Sequence, residues 1–84
     1  MNAVTSRTGR EIEEWIVGWV ARQSDLDPGG IDVREPFVNL GLSSRQAVVL
    51  SGELEDWLGA QLPASLVWDH PTIEKLAAHL GRAN

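Results

Sequence analysis

The chain has no cysteine. That excludes a disulfide framework and a thiolate metal site, and it leaves hydrophobic packing to hold the fold. No apolar run approaches the ~20 residues that a membrane-spanning helix needs. The opening "MNAVTSRTGR" lacks the hydrophobic core of a signal peptide. Both absences predict a cytoplasmic protein that does not engage a membrane. Basic residues are missing from a long stretch: residues 46–74 hold five carboxylates (Glu53, Glu55, Asp56, Asp69, Glu74) and neither Lys nor Arg. Nucleic acid would be repelled there and is excluded as a partner. A basic protein would be attracted, although an ordinary solvated helix face carries the same pattern. Segments with strand-like alternation and internal repeats are absent too.

What is present suffices for one small domain. Its 84 residues lie near the lower limit for a core that folds without staples. A composition of 43% apolar and 23% charged residues, with a net charge of −5, describes a globular domain rather than a disordered chain, and as an isolated domain it is expected to be a monomer. The reading is a flexible leader over 1–8, a folded domain over 9–81 and a tail over 82–84.

Within the domain, helical punctuation is clear. Thr8-Gly9-Arg10-Glu11 fits a capping box, followed by Ile12, Trp15, Ile16, Trp19 and Val20 on one helical stripe. "DLDPGG" at 25–30 ends that helix. The connection to residue 42 is long but contains Ile31, Val33, Phe37, Leu40 and Leu42, so it is expected to lie across the core, with Pro36 opening a single turn. Ser43 and Gln46 form a second capping box, which makes Ser43 the N-cap and Ser44 the first helical residue. Ala47, Leu50, Ser51, Leu54, Trp57 and Leu58 supply the stripe, and Gly59 the stop. The opposite face presents Arg45, Val48, Val49, Gly52, Glu55 and Asp56, an apolar centre with an acidic edge. Leu66, Val67 and Trp68 predict a short helix before His70-Pro71. Thr72 then caps a last helix with Ile73, Leu76, Ala77 and Leu80 as its stripe and Gly81 as its stop. The expected fold is all-α: a small four-helix bundle, three main helices plus a short one, with a long loop between the first two.

The paired serines raise the question of chemistry. A nucleophilic serine needs a base and a group to orient it. Here the G-x-S-x-G elbow is missing, and an 84-residue bundle has little room for a substrate cleft. His70 is expected to cap a turn or pack at the bundle end, and His79 to be exposed. No catalytic residue and no metal site is expected. An attachment serine, by contrast, needs no base of its own. It needs exposure at the end of a rigid element, and a helix N-terminus tolerates a phosphate there. Ser43 spends its oxygen as a cap, so Ser44 is the candidate.

"LGLSSRQAVVLSGELEDWLG" followed by "LPASLVWDHPTIEKLAAHL" resembles the acyl carrier domains of modular polyketide synthases, over about residues 10–81. Those domains carry G-x-D-S-L, then a helix ending in L-E-x-x-L-G, then L-P-x-T-L-x-F-D-x-P-T. The resemblance implies a non-catalytic carrier whose Ser44 takes 4'-phosphopantetheine from coenzyme A. A phosphopantetheinyl transferase would install the arm, an acyltransferase or acyl-AMP ligase would load it, and a ketosynthase would receive the cargo. Two positions depart from the pattern. Ser43 replaces an aspartate, keeping its cap but not its charge, and Arg45 replaces a leucine, placing a cation on the partner face. That face is expected to comprise Ser43, Arg45, Val48, Val49, Gly52, Glu55 and Asp56. "GLSSR" also resembles carriers of mycobacterial mycolic-acid synthases, and "GELEDWLG" and "WDHPTI" those of loading modules fed by fatty acyl-AMP ligases. These likenesses imply a starter-unit carrier. A peptidyl carrier of a nonribosomal synthetase and an unmodified helical docking module are the alternatives. Trp15 and Trp19 are expected in the core, with Trp57 and Trp68 sealing the bundle end.

Overall fold

The computed structural model describes residues 7–82, the Arg82 side chain excepted. Most of the expected leader and tail lies outside the described residues. Arg7 and Thr8 do not: Thr8 caps the first helix, and the Arg7 guanidinium lies 4.4 Å from the centre of the Trp57 ring. Four helices follow in order: α1 (Gly9–Ser24), α2 (Ser44–Leu58), α3 (Leu66–Asp69) and α4 (Ile73–Arg82). Among the described residues there is no strand, only a single bridge between Pro36 and Thr72.

The three longer helices, α1, α2 and α4, begin where the capping chemistry places them. The Glu11 amide donates to Thr8 Oγ1 at 3.1 Å, and the Thr8 amide donates to Glu11 Oε1 at 2.9 Å. Asp25 ends α1 in the left-handed region at φ 56°, with its N–H donating to the Ala21 carbonyl. Aspartate tolerates that conformation better than most residues do. Thr72 caps α4 by accepting from the Lys75 amide at 3.1 Å.

The stripes of all four helices meet in one core. Ile12, Ile16, Trp19, Leu50, Leu54, Leu66, Ile73 and Leu76 are essentially inaccessible to water. Burying such side chains is the main favourable term in a domain of this size. Trp19 is also tied to α2, its indole Nε1 donating to Glu53 Oε1 at 3.0 Å. Trp15 is only half-buried. It stacks on Trp57 with ring centres 5.1 Å apart, a contact made at the edge of the core rather than inside it.

Two further expectations fail here. Gly81 does not stop α4, which continues to Arg82. A Cβ on Gly81 would stand 2.7 Å from Gly9 Cα, so this glycine is there because α1 and α4 cross at backbone contact. Trp68 does not seal the bundle: it is 48% exposed, because α3 is a single turn whose inward positions belong to Leu66 and Val67.

The long connection is held to the bundle at three places. The Phe37 amide donates to the Pro71 carbonyl at 2.8 Å, and the Glu74 amide to the Val33 carbonyl at 3.0 Å. Ser24 Oγ donates to the Leu40 carbonyl at 3.1 Å. Ile31, Val33 and Leu40 pack on the core, and Phe37 and Leu42 are part of it. Two 3-10 turns, Pro28–Gly30 and Phe37–Leu40, carry the chain across. Pro36 stands as the N-cap of the second, the turn expected from the sequence.

Candidate functional site

The approach to Ser44 is fixed from behind. Gly41 takes φ 88°, which a side chain would resist, and lets its N–H close the second 3-10 turn onto the Phe37 and Val38 carbonyls. Leu42 is buried, and its amide donates to the Phe37 carbonyl at 3.2 Å. Ser43 follows in extended conformation as N-cap. Its Oγ accepts from the Gln46 amide at 3.2 Å, its own amide donates to Gln46 Oε1 at 3.0 Å, and its carbonyl accepts from the Ala47 amide at 2.9 Å. The two serines therefore have opposite roles. Both are exposed, but Ser43 Oγ is bound into the cap, whereas Ser44 stands at the first helical position.

The electrostatics of that position suit an anion. The leading amides of a helix have no acceptor within it, and they form its positive end. The first turn of α2 contains no acidic residue. A phosphate on Ser44 Oγ would lie at that positive end, with no carboxylate in the same turn. The serine, its exposure and the charge around it fit a phosphopantetheine attachment.

The remaining named residues are distributed as follows. Arg45, Gly52 and Asp56 are exposed, Val48 is 55% and Val49 44% exposed, and a Cβ on Gly52 would have nothing within 4 Å. Glu55 departs from the expected outward face. It is half-buried, and its carboxylate accepts from the Leu62 amide at 2.7 Å, holding the loop after α2 against the helix. His70 and His79 stack with ring centres 4.0 Å apart, and neither is hydrogen-bonded to a serine among the described residues. His79 is exposed, as expected. No group of three or more His, Cys, Asp or Glu residues that could hold a metal ion occurs among the described residues. No helix there is long and apolar enough to cross a membrane. The sequence reading missed the exposure of Val38, 59%, beside Trp68; both belong to short turns without a periodic stripe.

Comparison with known proteins gives the family and the fold. The family model described as "Phosphopantetheine attachment site" matches residues 14–80. A phenolphthiocerol/phthiocerol polyketide synthase protein of Mycobacterium tuberculosis is 39% identical over 70 residues, which are 83% of this chain and 4% of that protein. Erythronolide synthase EryA3 of Saccharopolyspora erythraea is 42% identical over 76 residues, 89% of this chain and 2% of the synthase. The chain thus spans only a few hundredths of the length of these relatives. Among solved structures, an acyl carrier protein from Anabaena sp. PCC 7120 with a variant phosphopantetheinylation-site sequence is 41% identical. It superposes with a TM-score of 0.85, covering 90% of this chain and 86% of that one. A free-standing peptidyl carrier protein from Acinetobacter baumannii, 34% identical, gives a TM-score of 0.84 over 90% of this chain and 95% of its own. The chain belongs to the phosphopantetheine-attachment family of carrier domains.

Proposed function

We propose that Ser44 is the attachment serine and that the chain carries acyl groups in polyketide or lipopolyketide assembly. The observation that supports this most is the division between the serines: both are exposed, but Ser43 Oγ is occupied as a cap acceptor, whereas Ser44 stands at the first helical position of α2, at its positive end. The bound group would supply a thiol that holds an acyl group as a thioester. Ser44 contributes an oxygen to the phosphodiester and gives up its hydroxyl proton to the transferase. The nucleotide half of coenzyme A departs as the leaving group. Ser43 and Gln46 keep the helix start rigid, and Arg45 adds positive charge beside it. Incubating the chain with coenzyme A and a phosphopantetheinyl transferase should add the mass of one phosphopantetheine. A chain that gained none would instead be an unmodified helical docking module.

The partners we infer are that transferase, an acyltransferase or acyl-AMP ligase for loading, and a ketosynthase. They approach Ser44 over Arg45, Val48, Val49, Gly52 and Asp56, exposed residues of α2. Apolar centres set affinity and charged rims set encounter rate. Val48→Lys should therefore slow acyl loading at any ionic strength, and Asp56→Lys only at low salt. Loading rates that ignore both changes would place docking elsewhere. The likeness to a peptidyl carrier supports a second reading, cargo that is aminoacyl rather than acyl. Competition between acyl and aminoacyl loading enzymes separates the two.

A further inference from the structure

Gly52 stands in the interior of α2 without a packing reason. Gly81 is small because the backbone of α1 lies against it, whereas a Cβ on Gly52 would meet nothing within 4 Å among the described residues. Alanine makes the better helix, so this glycine weakens α2 with no packing gained inside the molecule. Its effect falls on two neighbours. A helical side chain leans towards the N-terminus and covers the residues three and four positions earlier. Those are Val49 and Val48, which Gly52 leaves 44% and 55% exposed. The result is a dimple floored by helix backbone and bordered by two valines, and covering it is favourable.

The dimple lies between opposite charges. Arg45, Val49, Gly52 and Asp56 follow at i, i+4, i+7 and i+11, one line along the outer side of α2. A rise of about 1.5 Å per residue sets Arg45 and Asp56 about 16 Å apart along the axis. Neither side chain has a hydrogen bond or ion pair among the described residues. The other carboxylates of α2 are tied to this chain: Glu53 accepts from the Trp19 indole and Glu55 from the Leu62 amide. The unengaged charge on this line is therefore positive beside Ser44 and negative at the far end. An enzyme docked the wrong way round would bring like charges together.

We propose that this line is read by the transferase that modifies Ser44, with a bulky apolar side chain of the enzyme seated over Gly52, a carboxylate opposite Arg45 and a cation opposite Asp56. The proposal rests on the attachment reading above. Gly52 is then a specificity-determining residue: α2 is less stable than it could be because the hole is filled by the enzyme. The opposed charges fix the direction of docking and turn the enzyme's cleft towards Ser44.

The test uses the whole chain, coenzyme A and a transferase that adds one phosphopantetheine to it, with initial rates giving kcat and KM. Gly52→Ala should raise Tm and yet raise KM about tenfold, as loss of a central interface contact does. Gly52→Leu should raise KM further while circular dichroism shows the fold unchanged. The exchange Arg45→Asp with Asp56→Arg keeps the net charge of −5. It should lower kcat/KM about tenfold at low salt and less at high salt. Arg45→Leu alone should cost less than Arg45→Asp alone. A Gly52→Ala chain modified with unaltered KM would overturn the seat over Gly52. A charge-exchanged chain modified as fast as the original would overturn the polarity. No mass gain in the unaltered chain with any transferase would overturn the attachment reading and this proposal with it.

Discussion

The molecule contains the same helix-starting device twice, and only one copy is suited to chemistry. Thr8-Gly9-Arg10-Glu11 and Ser43-Ser44-Arg45-Gln46 are both complete capping boxes, each with arginine at the second helical position. They differ at the first position and the third. Gly9 is covered by Gly81 of α4, whereas Ser44 stands open. Glu11 places a carboxylate in the first turn of α1, whereas Gln46 leaves the first turn of α2 without one. An ordinary structural motif becomes an attachment site when its first residue is a hydroxyl, its surroundings are open and its dipole is not already neutralised.

The largest expected effect comes from breaking the closed copy. Gly81→Ala would force a Cβ to 2.7 Å from Gly9 Cα, against backbone that has nowhere to go. Overpacking of this kind costs about 1–3 kcal/mol, or roughly 4–8 °C in Tm per kcal/mol for a domain of this size. The helical glycine near the open copy should behave in the opposite way. Gly52 has nothing within 4 Å of an added Cβ, so Gly52→Ala should stabilise α2 by about 0.5–1 kcal/mol. Thermal unfolding of both variants decides this, and equal effects would mean the two glycines are not packed as described.

Next in size are the caps themselves. Thr8→Ala and Ser43→Ala should each lower stability by about 1 kcal/mol, as measured by urea titration. Ser43→Ala should still accept the arm, because its oxygen is spent on the Gln46 amide and not on the transferred group. The smallest effect sharpens the electrostatic difference. Gln46→Glu makes the second box resemble the first, and should stabilise the unmodified chain by about 0.3–1 kcal/mol through the helix dipole. It should also slow modification, since a carboxylate would then face the incoming phosphate. A modification rate equal to that of the unaltered chain would show that charge in this turn plays no part.

Much of this comparison was legible in the sequence because caps and stripes are local. Thr8 with Glu11, Ser43 with Gln46, and the buried faces of α1 and α2 follow from three- and four-residue spacings. What was hidden depends on residues far apart. Gly81 reads as a helix stop by its position after Leu80, and only the crossing of α1 and α4 gives it another purpose. Glu55 and Glu53 look like parts of one acidic face, yet one binds the Leu62 amide and the other the Trp19 indole, 34 residues away. Trp68 looks like a seal for the bundle end because it stands at that end and tryptophan is highly buried on average. A helix of one turn has two inward positions, and Leu66 and Val67 take both.

The central claim is that two adjacent serines have separate duties, and site mapping tests it most directly. After treatment with coenzyme A and a phosphopantetheinyl transferase, fragmentation of the peptide around Leu42–Gln46 should place the added mass on Ser44. The same should hold in Ser43→Ala, and Ser44→Ala should gain no mass at all. Added mass on Ser43, or a full gain in Ser44→Ala, would contradict the account.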